Sequence, residues 1–198
     1  MPIESLIALV ALTATAAWTP GPNNALVANS AVRFGLRRTV PHILGITLGF
    51  AFMILMVGLV LAQVFANSAI LREGLRLLGA ALLLWIAWKV AFSGGIGTEK
   101  GAPRPFSFLE AAGFQWINPK AWSFAIALTS QFISPDRWLV TSVIVAGVTV
   151  LVSLGSASSW ALAGRAITRW ITTDGRLRLF NYAMGALIAA CVVLLFLD

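Results

Sequence analysis

Lys120 lies near the middle of a long apolar run, directly after Asn118 and Pro119. About fourteen residues separate it from either end of that run, too far for its stem to snorkel to an interface. An ammonium group at that depth costs about 3 kcal/mol on insertion scales unless it is paired or hydrated. Asn118 is a good helix N-cap, and Pro119 suits the first helical position, where its missing N–H costs nothing. A helix restarting there presents unpaired N–H groups and the positive end of its dipole, to which Lys120 adds a full charge. Such an end is an anion site, and it suits a carboxylate.

A second set of residues interrupts the first apolar run: Thr19, Pro20, Gly21, Pro22, Asn23 and Asn24. Pro20 and Pro22 lack N–H groups, and Gly21 between them tolerates unusual dihedrals, so a helix cannot pass through unperturbed. Asn23 or Asn24 is expected to cap a helix restarting over about Ala25 to Val32. The spacing Trp18-x-Pro20 parallels Trp116-x-Asn118-Pro119. Irregular backbone inside a membrane survives only where protein or a water-filled cavity covers it. Two breaks at corresponding positions therefore point to a binding site between two half-helix N-termini near the midplane. The alternative is a pair of proline kinks that only shape the bundle.

Other residues around the breaks extend the candidate site. Gln115 is a further polar ligand. Trp18, Trp116 and Trp122 flank the breaks and either pack or hold a substrate ammonium through cation–π contact. Glu110 precedes Asn118 by about 12 Å of helix and is expected at the cytoplasmic mouth, either interfacial or acting in coupling or gating. Lys120 is the other coupling candidate. His42, after Pro41 at the start of the second segment, reads as a boundary residue.

The elements that must position these residues follow from composition. Of 198 residues, 59% are hydrophobic and only 11% charged, and the mean hydropathy is +0.89. A soluble domain of this size could not hide that much apolar surface. Each span needs roughly 20 apolar residues, so the chain holds about six. The segments run over about 3–32, 40–66, 75–92, 106–133, 138–162 and 179–197, and the first and fourth contain the breaks. Segment one is roughly 45 Å long at helical rise, more than the ~30 Å bilayer core, and its break accounts for the excess. Gly45-x-x-x-Gly49 in segment two is a close-packing spacing.

The polar stretch Ser93 to Pro105 is rich in Gly and Pro and reads as a linker near the chain's middle. Leu75-Arg76-Leu77 before Gly79-Ala80-Ala81 and Leu177-Arg178-Leu179 before Gly185-Ala186 hint at internal similarity. Three spans per half is odd, so the second half inserts upside down relative to the first. The sequence thus predicts an all-α membrane protein of six transmembrane helices, built as two inverted three-helix repeats with helices 1 and 4 broken. The whole chain, 1–198, is one transmembrane domain: repeat one over about 1–93, a linker over about 94–105 and repeat two over about 106–198.

Ten of the 14 basic residues fall in the loops after segments one, three and five, among them Arg33, Lys89 and Arg104. Arg72, Arg76 and Arg137 fall on the other side. The positive-inside rule places both termini outside the cytoplasm. The first residues carry Glu4 and no base, unlike a secretory leader, so the first segment is expected to be a retained helix. The net charge of +7 encodes orientation here rather than nucleic-acid binding. One Cys, Cys191, and one His exclude an internal disulfide and make a metal cage a poor reading. No Ser/His/Asp set suggests an enzyme, and no cofactor is implied. The expected partners are a small-molecule substrate and the lipid bilayer, with a homo-oligomer left open.

With these residues in view, the chain resembles the LysE/RhtB family of bacterial amino-acid exporters over nearly its whole length. The resemblance rests on Thr19-Pro20-Gly21-Pro22-Asn23, Gly45-x-x-x-Gly49, Gly79 to Lys89 and Phe114-Gln115-Trp116-Ile117-Asn118-Pro119-Lys120-Ala121. It implies a six-helix inner-membrane exporter of amino acids or close derivatives, driven by proton antiport, with both breaks as site positions. Asn23 stands where many relatives look acidic, and the second helix has no titratable residue past His42. A passive channel or non-transporting membrane subunit is the alternative function.

Overall fold

A computed structural model describes residues 1–58, 69–92 and 104–194, and their regular structure is helical throughout. The linker from 93 to 103, the expected end of segment two, the side chains of Arg72, Arg76 and Cys191, and Asp198 lie outside the described residues.

Helix α1 (Ile3–Trp18) stops where the prolines withhold donors: the Thr19 N–H makes the last bond, 3.1 Å to the Thr15 carbonyl. Helix α2 (Pro22–Phe34) starts at Pro22, with Gly21 extended as its N-cap. The axes of α1 and α2 differ by 57°. The restart therefore comes three residues before the expected Ala25, and neither Asn23 nor Asn24 is the cap. Proline is pre-organised for the first helical position, and the Gly21 carbonyl accepts the Ala25 N–H at 3.0 Å. Both asparagines fall in the first turn, which sends their side chains elsewhere.

Gly35 then turns the chain, with φ at +80°, a left-handed conformation that glycine adopts without steric cost. Helix α3 (Leu36–Met56) follows at once, four residues before the expected start. Thr39 Oγ1 steadies its first turn by donating to the Gly35 carbonyl at 2.9 Å. Pro41 is thus inside the helix, and His42 is buried, at 2% exposure, rather than at a boundary.

Helix α4 (Ala69–Ala91) closes the first half. The second half opens with the short α5 (Phe108–Phe114), whose N-terminus is a reciprocal capping box between Ser107 and Glu110. After one turn of non-helical chain, α6 (Pro119–Phe132) starts with Asn118 as N-cap and Pro119 at the first position, as the sequence predicts. A single 3-10 turn (Pro135–Arg137) leads into α7 (Trp138–Ile167), and α8 (Asp174–Leu194) ends the described chain.

Small residues set how closely the helices pack. A Cβ on Gly45 would lie 2.6 Å from Ala111 Cβ, and one on Gly49 would lie 2.5 Å from Ala112 Cα, so the Gly-x-x-x-Gly face is where α5 sits on α3. Gly164 gives the same room where α7 crosses Ala28 of α2, and Gly185 where α8 meets Ala87 and Ala91 of α4. One apolar cluster joins α1, α3, α6 and α7 through Leu9, Met53, Ile54, Leu128 and Val145. A second joins α2, α4, α5 and α8 through Leu26, Leu83, Ile86, Phe114 and Ile188.

Among the described residues, α3 and α7 are each long and apolar enough to cross a bilayer, and α1 with α2 qualifies as a third, bent span. The outer surface is correspondingly apolar, with Leu151 73%, Leu109 76% and Leu162 57% exposed. Trp85, Trp88, Trp138 and Trp170 are exposed near helix ends, as an interfacial belt requires. Trp160, by contrast, packs against the core beside Ala28 and Phe180. This is the all-α architecture of a multi-pass membrane protein.

Candidate functional site

The two breaks converge. The first turns of α2 and α6 line one cavity of about 70 Å³, with Gly21, Pro22, Asn23 and Asn24 on one side and Asn118, Lys120 and Ala121 on the other. A helix's first-turn N–H groups have no intrahelical acceptor, so two positive helix ends face a common space. Phe50, Phe124 and Leu128 supply its apolar wall.

Two side-chain bridges tie the breaks together. Lys120 Nζ donates to the Thr19 carbonyl at 2.6 Å and to the Pro20 carbonyl at 3.4 Å. Asn23 Nδ2 donates to Gln115 Oε1 at 2.9 Å, and Gln115 Nε2 returns a bond to Asn23 Oδ1 at 3.3 Å. Gln115 is fully buried and anchored by a further bond to the Ala111 carbonyl at 2.9 Å. On the second break Asn118 Oδ1 accepts the Lys120 N–H at 3.1 Å, which is the expected cap.

These bonds also answer how broken backbone is tolerated in an apolar setting. Asn24 Nδ2 reaches back to the Ala17 and Thr19 carbonyls, each at 3.0 Å, and Ser156 Oγ donates to Ala17 at 2.7 Å. Two carbonyls that the break leaves without helical donors, those of Ala17 and Thr19, thus find side-chain donors instead. Thr19 and Pro20 themselves are exposed, so protein does not cover this break fully. It is the pairing of its carbonyls that makes it tolerable. Gly21 matters for space rather than dihedral freedom, because a Cβ there would lie 3.0 Å from Lys120 Cδ and 2.9 Å from its Nζ.

The expected tryptophans are not in the cavity wall. Trp18 rests on Gly155 of α7, with its ring 3.3 Å from where a Cβ would stand. Trp116 and Trp122 pack edge to face at 5.8 Å, and Trp122 Nε1 donates to the Trp116 carbonyl at 2.8 Å. Pro119 fills the first position of α6 without lining the cavity. Conversely, Thr13 of α1 and Ser153 and Ser156 of α7 line it and were not singled out from the sequence. Their only signal is a small hydroxyl within an apolar helix, a weak one because such residues also bond their own backbone, as Thr13 Oγ1 does to Leu9 at 2.7 Å.

Glu110 is away from the cavity. Its carboxylate is held on both oxygens by Arg104, at 2.6 Å each, and accepts the Ser107 N–H at 2.8 Å. Hydrogen bonds to that carboxylate raise the Arg104 pKa above its ordinary value.

Broken helices whose N-terminal turns share a small cavity, in an all-helical membrane-spanning chain, are the arrangement of a membrane translocator. The sequence matches the LysE type translocator family over residues 14–198, and the chain belongs to that family as a multi-pass inner-membrane protein. It is 34% identical over 188 residues to the cysteine/O-acetylserine efflux protein of Salmonella paratyphi A, covering 93% of each chain. The proteins of the same description from Escherichia coli (strain K12) and Klebsiella pneumoniae are 32% and 30% identical over 93% and 94% of each chain. No solved structure matches the chain.

Proposed function

We propose that the chain exports small amino acids or close derivatives from the cytoplasm by proton antiport with alternating access. The observation that carries this reading is the pair of helix N-termini and Lys120 lining one cavity. A substrate carboxylate would take the first-turn N–H groups of α2 and α6 and draw the Lys120 ammonium off the Thr19 and Pro20 carbonyls. The substrate's amino group would take the oxygens of Asn23, Gln115, Thr13 and Ser153. Thr19, Pro20, Gly21, Pro22, Asn24, Trp116, Asn118 and Pro119 would shape that site rather than donate to the ligand.

The cavity's size favours a small substrate. At 10–15 Å³ per water-sized group, about 70 Å³ admits roughly five to seven such groups. That is close to a small amino acid such as cysteine, whose efflux is named for the relatives.

Two inverted three-helix repeats are supported by the element order, in which each half runs broken helix pair, long helix, long helix. The extensive pairings of α3 with α7 and α4 with α8 join corresponding members of the halves. Termini on the periplasmic side are supported by Arg33, Lys89 and Arg104, which gather at one end of the bundle in accord with the positive-inside rule. Of the two coupling candidates, Lys120 is favoured over Glu110, because Lys120 lines the cavity and Glu110 is bound by Arg104 at the surface.

The test is export of radiolabelled cysteine or O-acetylserine under an imposed proton gradient, comparing the wild type with Lys120→Ala at matched membrane abundance. Uphill export by the wild type and its loss in the variant are expected. Full transport by Lys120→Ala would remove the proposed role, and gradient-independent equilibration by the wild type would favour a passive channel.

A further inference from the structure

A second cavity, of about 440 Å³, opens between the C-terminal ends of α2 and α4, the start of α3 and residues 104–106. It is about six times larger than the cavity at the breaks, and nothing in the transport reading uses it. Three cationic side chains from three parts of the chain line it: Arg33 of α2, Lys89 of α4 and Arg104. No carboxylate lines it among the described residues. The acid beside it, Glu110, is already held by Arg104.

The wall also contains a buried polar group, His42, which is 2% exposed and whose ring nitrogens have no hydrogen-bond partner among the described residues. Its ring lies against Phe106 at 5.2 Å between centroids. A buried donor left unsatisfied destabilises the fold, and a ligand oxygen in the cavity would relieve that cost. Apart from Asn29 and Ser30, the remaining wall is apolar and aromatic, and Trp85, 57% exposed beneath Lys89 Nζ at 5.4 Å, leads from it to the outer surface.

We propose that this cavity binds a phosphate-bearing anion, the headgroup of an anionic phospholipid drawn from the surrounding bilayer. A zwitterionic amino acid fits poorly, because Arg33 and Lys89 would repel its ammonium and no acid among the described residues lines the cavity to take it. An anion is matched by Arg33 and Lys89, with Arg104 sharing its guanidinium with Glu110 and the His42 ring N–H donating to one oxygen. The volume exceeds that of a bare phosphate, and the apolar wall runs out to the lipid-facing Trp85. Basic pockets between spanning helices recognise anionic headgroups in this way. Inorganic phosphate offers the same oxygens from the aqueous side and is the alternative source.

The experiment measures the melting temperature of the delipidated, detergent-solubilised protein with phosphatidylglycerol, phosphatidylcholine or inorganic phosphate. Wild type, Arg33→Gln and Lys89→Gln are compared, and native mass spectrometry counts the lipid retained. The expected result is a rise of several degrees with phosphatidylglycerol alone, reduced by at least half in both variants. The same rise with inorganic phosphate would keep the anion site and assign it a soluble source. No rise with either, an equal rise with phosphatidylcholine, or an undiminished rise in the variants would overturn the proposal. Lys89 is exposed on α4, so Lys89→Gln carries the test even if Arg33→Gln fails to fold.

Discussion

The Lys120 ammonium donates a 2.6 Å hydrogen bond to the carbonyl oxygen of Thr19, joining two helix breaks that lie 101 residues apart in the chain. The one buried-run cation of the sequence therefore serves the backbone of the other break as well as facing the cavity. In the proposed cycle these are competing uses. A carboxylate that recruits the ammonium removes one of the two side-chain donors on the Thr19 carbonyl, which couples occupancy of the site to how firmly the end of α1 is held.

Replacing Lys120 by Met is expected to abolish export while lowering stability only modestly. A charge-assisted bond is worth about 1.5–3 kcal/mol, and the Thr19 carbonyl keeps its bond from Asn24. Transport assays alongside thermal unfolding of the purified variant check this. Loss of the folded protein would show the lysine to be chiefly structural.

Gly21→Ala should separate the two uses of Lys120. The new methyl would lie 3.0 Å from Lys120 Cδ, so the flexible tail must shift while the fold persists. Export is expected to fall several-fold, with a melting temperature within about 2 °C of wild type. An unchanged transport rate would mean that the lysine's position over Gly21 is unimportant.

The amide pair between Asn23 and Gln115 is expected to show energetic coupling. Single and double alanine variants should give an interaction energy of about 0.5–1.5 kcal/mol. Additive effects would mean that the two breaks are not joined through this pair.

The glycine face of α3 gives a test of packing. Gly49→Val should destabilise by about 1–3 kcal/mol, because the side chain meets the Ala112 backbone. Gly147→Ala in α7, where a Cβ has nothing within 4 Å, should be neutral or slightly stabilising. Denaturation in detergent distinguishes the pair, and equal effects would contradict the close α5–α3 contact.

A reporter fused after Asp198 and active only in the cytoplasm should be silent. Activity there would reverse the proposed orientation.

Much of this molecule is legible from local chemistry alone. Composition demands helices in lipid, and proline cannot donate a backbone bond, so the breaks at 19–22 and 118–119 follow from residue type. The Asn118 cap and the Gly45-x-x-x-Gly49 contact are likewise local patterns. What the chain alone misplaces is also local, but competitive: Pro22 and Asn23 both suit the start of a helix, and proline wins because its φ is already set. Pro41 alone marks His42 as a boundary residue, whereas the turn at Gly35 starts the helix earlier and carries His42 into the interior. The tertiary structure alone decides which distant groups meet. Lys120 on Thr19, Asn23 on Gln115, the hydroxyls of Thr13 and Ser153 at the same cavity, and three cations around His42 all depend on helix crossings. Those crossings are set by which small residues on separate helices let backbones approach, a property of pairs of surfaces that no single segment carries.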